Sequence, residues 1–338
     1  MTTDDPLKPN SPGKPLDPNL RKEFGRRLKP KNPRARSASD DEDMVVKTKK
    51  NSGYPDTSLL CDLRGNNELK KEIDDIYLQM ANRDLYCLGG IQPDKSYLFY
   101  GPAGTGKTLG VRCLYGELLS HKKSFGLMEY SIGNYGTAYI NMGSKNLQEF
   151  FDSGQSAIEK GVEGMIYFFD ECDVLLGKRG SAQGHKEDDK LLDTLMTNLQ
   201  EIHDRDTSEF VFFATNFRDA MDNASMRAQR IDKQVEFKLP DYNGRADLFK
   251  HAILMTQVKA GRSVVRAYNL NELAEKSDGL NCAECVDLVR RAIKSRINTM
   301  LHSGDDVFKD FFVKQYHILD ELEILKKTKI KEKKIGFK

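Results

Sequence analysis

Three short runs along the chain are apolar without interruption: Ser96–Tyr100 (SYLFY), 165–169 (MIYFF) and 210–214 (FVFFA). A strand that faces water alternates polar with apolar positions. A continuous apolar run is instead the mark of a strand buried on both faces, as in a parallel sheet. Stretches of helical spacing separate the runs. Residues 68–80 (ELKKEIDDIYLQM) set Leu69, Ile73, Ile76, Tyr77 and Met80 on one face and predict an amphipathic helix. A second helix-compatible stretch, GVRCLYGELL, begins at Gly110. Strand and helix patterns in alternation predict an α/β core. From Asn243 onward the spacing is helical and no strand-like run recurs, which predicts a second, all-helical domain to about Leu325.

The two ends differ from this core. Seven of the eleven prolines fall in residues 1–33, among them Pro6, Pro9, Pro12, Pro15 and Pro18 at three-residue spacing. Such a segment lacks the apolar content to fold alone and reads as an extended arm. The formal net charge of +2 hides an uneven distribution. Residues 1–50 carry +5, residues 326–338 carry +6, and residues 51–325 carry −9. The expected organisation is a Pro-rich basic arm (1–50), an α/β domain (51–242), a helical domain (243–325) and a Lys-rich tail (326–338). No run approaches 18 apolar residues, and the first ten residues carry Asp4 and Asp5 without an apolar stretch. The expectation is a cytoplasmic protein without membrane insertion. Six scattered cysteines fit a reducing compartment. Cys282 and Cys285 have metal-ligand spacing, but no second pair accompanies them, and free thiols are expected.

Candidate chemistry begins where the first apolar run ends. Gly101, Pro102, Ala103, Gly104, Thr105, Gly106, Lys107 and Thr108, followed by Leu109, fit the pattern G-x-x-x-x-G-K-[ST]. Glycines let the backbone wrap closely so that its N–H groups point at phosphate oxygens. A helix starting near Gly106 adds its positive dipole end. Lys107 is expected on the β and γ phosphates of ATP, and the Thr108 hydroxyl on Mg²⁺. Asp170 and Glu171 end the MIYFF run. A carboxylate at that strand end, Asp170, is expected to hold Mg²⁺. Glu171 is expected to polarise a water for in-line attack on the γ-phosphate.

These residues resemble the AAA-type ATPases, with a likeness that runs from about residue 60 to 296. Residues 172–180 (CDVLLGKRG) continue the family's stretch after Asp-Glu. Ala214, Thr215 and Asn216 match its sensor segment, which implies that Asn216 helps position the attacking water. Residues 227–232 (RAQRID) resemble the arginine-finger segment. Leu239, Pro240, Asp241 and Arg245 follow as they do in the family. Residues 279–284 (GLNCAE) look like the lid segment over the nucleotide, which implies contacts from Gly279 and Ala283. Residues 62–65 (DLRG) resemble the adenine-lining segment and imply contacts from Asp62 and Gly65. The resemblance therefore implies a P-loop NTPase parallel sheet flanked by helices and followed by a small helical lid. It further implies ATP hydrolysis by a ring, usually a hexamer, with Arg227 and Arg230 supplied by the neighbouring copy.

Departures from the family pattern are Ala103, Arg64, Gln229 and Ile231. In the pore stretch 139–144 (YINMGS), Asn141 stands where the family carries an aromatic. Met142, Tyr139 and Tyr135 are the alternative pore contacts. Three functions are consistent with the sequence: an ATP-driven remodeller of an unidentified protein substrate, a nucleic-acid-associated ATPase that uses the basic ends, and a regulatory ring that does not translocate. The chain contains no HExxH zinc motif, and its last residues lack the hydrophobic–Tyr ending that docks a protease, so degradation is not expected.

Overall fold

The computed structural model describes residues 58–131, 143–172, 185–217, 231–303 and 311–335. The arm 1–50, the pore stretch 139–142 and both finger arginines, Arg227 and Arg230, lie outside them. The chain divides into two compact units. One comprises Asp56–Gly244 with Gly279–Ala283, and the other comprises Arg245–Asp278 with Glu284–Lys338.

The first unit is a five-stranded parallel sheet. Its strands are β1 (Ser96–Tyr100), β2 (Phe125–Ser131), β3 (Gly164–Asp170), β4 (Ser208–Thr215) and β5 (Lys233–Glu236), in the order β2-β3-β4-β1-β5. The three apolar runs are the three interior strands, and their residues alternate between two cores. Tyr97, Phe99, Ile166, Phe168, Phe210 and Phe212 face one side. Leu98, Met165, Tyr167, Phe169, Val211 and Phe213 face the other. Helix α1 (Asn67–Ala81) covers the first face with Leu69, Ile73, Ile76 and Met80. Asn66 caps it by accepting from the N–H groups of Glu68 and Leu69. The short α2 (Arg83–Leu88) follows, and α3 (Lys107–Ser120) covers the same face through Val111, Leu114 and Leu118. Helices α4 (Gly143–Glu159) and α5 (His185–Asp204) cover the second face with Leu147 and Phe151, and with Leu195, Leu199 and Ile202. Fully burying each such side chain contributes roughly 1.5–3 kcal/mol. Aromatic pairs add directionality, with Tyr97 stacked on Phe212 at 4.8 Å and Phe169 on Phe213 at 5.2 Å between ring centroids.

The second unit holds most of α6 (Tyr242–Ala260) and α8 (Cys282–Ser303), together with α7 (Leu270–Lys276) and α9 (Gln315–Ile335). It is not wholly helical. Two-residue strands, β6 (Val265–Arg266) and β7 (Val313–Lys314), pair in parallel. Buried Leu248, Phe249, Ile253, Leu273, Leu288, Ile318 and Leu322 form its interior. Arg245 is buried here; its Nε donates to the Ala274 carbonyl at 2.9 Å and its guanidinium meets Asp278 at 3.0 Å.

The stretch set apart as a Lys-rich tail is helical as far as Ile335. Lysine is a good helix former, and these lysines find acceptors. Lys326 donates to the Lys276 carbonyl at the end of α7, Lys327 pairs with Glu323 four residues back, and Lys329 meets Glu284 at 2.6 Å.

Candidate functional site

The phosphate loop leaves the C-terminal end of β1. Its conformation explains its glycines. Gly101 has φ 141°, and a Cβ there would lie 2.2 Å from the Phe237 carbonyl oxygen. Gly104 has φ 74°, and a Cβ there would lie 2.7 Å from the Asn281 side chain. Only glycine serves at such points. Gly106, also left-handed, is the N-cap of α3. Pro102, Ala103 and Gly104 are exposed, whereas Thr105 and Lys107 are buried. Thr105 Oγ1 donates to the Pro102 carbonyl at 2.8 Å and ties the loop to itself. Leu109 is half-buried against the core that α1 and α3 share.

Lys107 Nζ donates to the carbonyls of Gly101 and Pro102 at 2.8 and 2.9 Å and to Asn216 Oδ1 at 2.7 Å. Burial lowers its pKa below the ordinary lysine value, while the Asp170 carboxylate pulls the other way. Thr108 Oγ1 donates to Asp170 Oδ2 at 3.0 Å. The other Asp170 oxygen, Oδ1, accepts from the Glu171 N–H at 3.0 Å. Glu171 has φ 55°, a left-handed conformation that is uncommon for a side-chain-bearing residue, and it is exposed. Backbone bonds extend the sheet past its ladder beside these groups: Cys172 N–H to the Ala214 carbonyl at 2.9 Å, and Gly101 N–H to the Thr215 carbonyl at 3.3 Å.

The ends of three adjacent strands thus converge. The loop after β1 leads into α3, which opens with Lys107 and Thr108; the end of β3 supplies Asp170 and the next residue Glu171, and Asn216 follows β4. A hydroxyl and a carboxylate in contact form a hard-oxygen pair of the kind that holds Mg²⁺ with waters and phosphates completing its shell. A buried ammonium at a helix N-terminus fits phosphate. The residues present fit Mg²⁺ and ATP.

Residues 97–239 match the family model described as "ATPase family associated with various cellular activities (AAA)". The phosphate loop, Asp170, Glu171 and Asn216 all lie within the matched residues. Proteins similar to it carry ATPase or ATP-dependent protease names. It is 26% identical over 242 residues to a protein of Plasmodium falciparum named as a cell division cycle ATPase, covering 71% of this chain and 18% of that one. It is 28% identical over 253 residues to ATP-dependent zinc metalloprotease FtsH 3 of Sphaerobacter thermophilus, covering 75% and 47%. It is 28% identical over 265 residues to ATP-dependent zinc metalloprotease FtsH of Helicobacter pylori, covering 78% and 38%. The chain spans less than half the length of each of these relatives.

Of the remaining expected site residues, Ala283 meets this loop. Ala283 N–H donates to the Gly104 carbonyl at 3.0 Å, and Gly279 turns with φ 76° at the approach to α8. Asn281, to which the sequence reading gave no individual role, is the side chain set against Gly104. Leu63 lies beside Gly106. Asp62 caps its own 3-10 turn (Leu60–Asp62), with Oδ2 accepting from the Leu59 N–H at 2.9 Å. Gly65 has φ 101°, and its carbonyl closely approaches Gly244. Cys285 is buried and Cys282 half-buried, and burial pushes the Cys282 thiol up to about 11. Among the described residues no helix is long and apolar enough to cross a membrane, and no cluster of three His, Cys, Asp or Glu side chains is poised for a metal.

Proposed function

We propose that this chain binds Mg²⁺-ATP at the phosphate loop, hydrolyses it, and uses the cycle to remodel or disassemble a protein substrate as part of a homo-oligomeric ring, a hexamer, in the cytoplasm. The observation that carries the ATPase reading is the Thr108–Asp170 hydrogen bond at 3.0 Å, which joins the loop of β1 to the end of β3. In this proposal the backbone of residues 101–108 and Lys107 cradle the phosphates. Thr108 and Asp170 hold the metal, which neutralises charge on the phosphate oxygens when bound. Glu171 accepts a proton from the attacking water, and Asn216 positions that water. Asp62, Gly65, Gly279 and Ala283 border the nucleotide.

Arg227 and Arg230 complete the site of a neighbouring copy.

The test uses the full chain. Glu171→Gln should retain ATP, lose hydrolysis and accumulate the larger assembly by light scattering, while wild-type turnover should respond to unfolded protein and not to DNA. DNA stimulation that survives 200 mM salt, a concentration at which phosphate-backbone contacts lose about 10³–10⁵ in affinity relative to 50 mM, would replace protein remodelling with the nucleic-acid reading.

A further inference from the structure

Helix α3 holds Lys107 and Thr108 in its first turn, and near its other end it grips the chain just before Asp62. Gly116 is buried, and a Cβ there would lie 2.0 Å from the Ser58 carbonyl oxygen and 3.1 Å from its carbon. The backbone at Ser58 therefore passes α3 at a distance that only glycine permits. The next residue along the helix, Glu117, closes the contact: its Oε2 accepts from the Leu60 N–H at 3.0 Å. Leu60 opens the 3-10 turn that ends at Asp62, and an N–H in the first turn of a helix has no partner within it. An N-cap side chain ordinarily supplies the acceptor, but Leu59 stands at that position and has no oxygen to offer. The acceptor comes instead from a carboxylate 57 residues away. Glu117 is held in turn. Its Oε1 stands 3.8 Å from His121 Nδ1, which lies 3.0 Å from the Tyr77 hydroxyl of α1.

From Leu60 the chain runs back beside α3. Leu60 and Leu63 are buried in the core that α1 and α3 share. Leu63 ends 3.7 Å from the position of a Cβ on Gly106, the N-cap of α3. Residues 58–63 are thus seated on the same helix whose N-terminus closes the phosphate loop. Glu117 lies about 15 Å along that helix from Lys107, at 1.5 Å per residue. A rigid helix of fixed length therefore sets the register between this stretch and the phosphate loop.

We propose that Gly116 and Glu117 are positioning residues for the nucleotide base: by pinning Ser58 and Leu60 to α3 they set where Asp62 and Gly65 border it. The proposal rests on the reading above that Asp62 and Gly65 border the nucleotide. Without the pin the stretch slackens against α3 and the base loses its border. The phosphate loop, at the other end of the helix, keeps its own bonds.

The experiment compares three probes on the full chain with Mg²⁺: ATP, inorganic tripolyphosphate, which has no base, and 8-azido-ATP, which on illumination attaches to residues beside the base. Isothermal titration reads the first two and peptide mass spectrometry the third. Glu117→Ala should weaken ATP binding about tenfold, the scale of one lost charge-assisted hydrogen bond, and leave tripolyphosphate binding within about twofold. Glu117→Gln, whose amide oxygen still accepts from the Leu60 N–H, should recover most of the ATP affinity. Gly116→Ala, which pushes the Ser58 backbone off α3, should act as Glu117→Ala does; Glu117 is only half-buried, so its variants keep the test available if Gly116→Ala does not fold. The azido probe should label residues 59–65 in the parent and label them less in Glu117→Ala. Equal losses for ATP and tripolyphosphate, no recovery in Glu117→Gln, or parent affinity and labelling in Glu117→Ala overturn the pin. If the parent binds ATP but takes no label in residues 59–65, the reading that this stretch borders the base has failed instead.

Discussion

Gly101 offers the sharpest test of how the phosphate loop is held, through the substitution Gly101→Ala. Two penalties are separable at this position. The first is conformational: at φ 141° a residue with a Cβ is strained by about 1–3 kcal/mol. The second is steric: the new Cβ would sit 2.2 Å from the Phe237 carbonyl oxygen and 2.9 Å from its carbon, both backbone atoms that cannot rotate away. Relief to ordinary contact needs about 1 Å of backbone movement. That movement strains the 2.7 Å bond from Phe237 N–H to the Tyr100 carbonyl, where β5 meets β1. Overpacking of this kind costs about 1–3 kcal/mol. Together the destabilisation is about 2–6 kcal/mol, or about 4–24 °C in Tm for a unit of this size. The control is Gly161→Ala, which has a positive φ of 101° but no atom within 4 Å of the added carbon. It should lose only the conformational part, about 1–2 kcal/mol. Thermal melts by circular dichroism, with ATP affinity measured on the same samples, read both effects. If the two variants melt together, or if Gly101→Ala binds ATP like the parent, the close approach to Phe237 does not shape the loop.

Further outcomes follow from the site and its surroundings. Asp170→Ala should weaken Mg²⁺-dependent ATP binding, and Glu171→Gln should leave binding intact but slow hydrolysis by about 10²–10⁴, as loss of a general base does; isothermal titration and phosphate release measure the two. Lys107 has a folded-state pKa below its ordinary value of 10.5. The unfolded chain therefore holds this proton more tightly, and the penalty it imposes relaxes as pH rises from the folded value toward 10.5. Parent stability relative to Lys107→Met should thus rise with pH in that window, and a flat difference in melting temperature refutes the assignment. Cys87 is exposed, whereas Cys113 and Cys285 are buried and Cys282 is raised to about 11. A thiol reagent at pH 8 should label Cys87 well before those three, so Cys87→Ser should abolish that early labelling, as read by mass spectrometry.

What could be read from the sequence followed burial. β1, β3 and β4 have neighbours on both sides and helices on both faces, so each carries a continuous apolar run, 97–100, 165–169 and 210–214, and their identity is plain. The two edge strands escape that rule. β2 (FGLMEYS) exposes Glu129 and carries a glycine, and β5 (KQVE) buries Val235 alone. Neither shows a continuous apolar run because neither needs one. The phosphate loop, Asp170 and Glu171 were legible because their chemistry demands fixed spacing beside strands already visible. The bonds of Asp232 to Ser96 and Lys95 were not legible, since a lone Asp before an edge strand has no spacing to announce it. The lysine stretch after Leu325 gave no helical signal of its own for a related reason. Charge density marks solvent exposure, yet a helix whose lysines reach Lys276, Glu284 and Glu323 is exposed and ordered together.

The strand ends carry one more consequence. Phe169 is fully buried and Asp170 is the next residue; Thr215 is buried and Asn216 follows; Tyr100 gives directly onto Gly101. No intervening segment absorbs displacement between the aromatic interior and the reacting groups. A half-ångström adjustment among Phe169, Phe213 and their neighbours is therefore delivered undamped to the carboxylates. Conservative repacking such as Phe213→Leu should surface as an altered Mg²⁺ requirement at temperatures where the fold remains fully intact, which ties the tolerance of this interior to turnover rather than to melting.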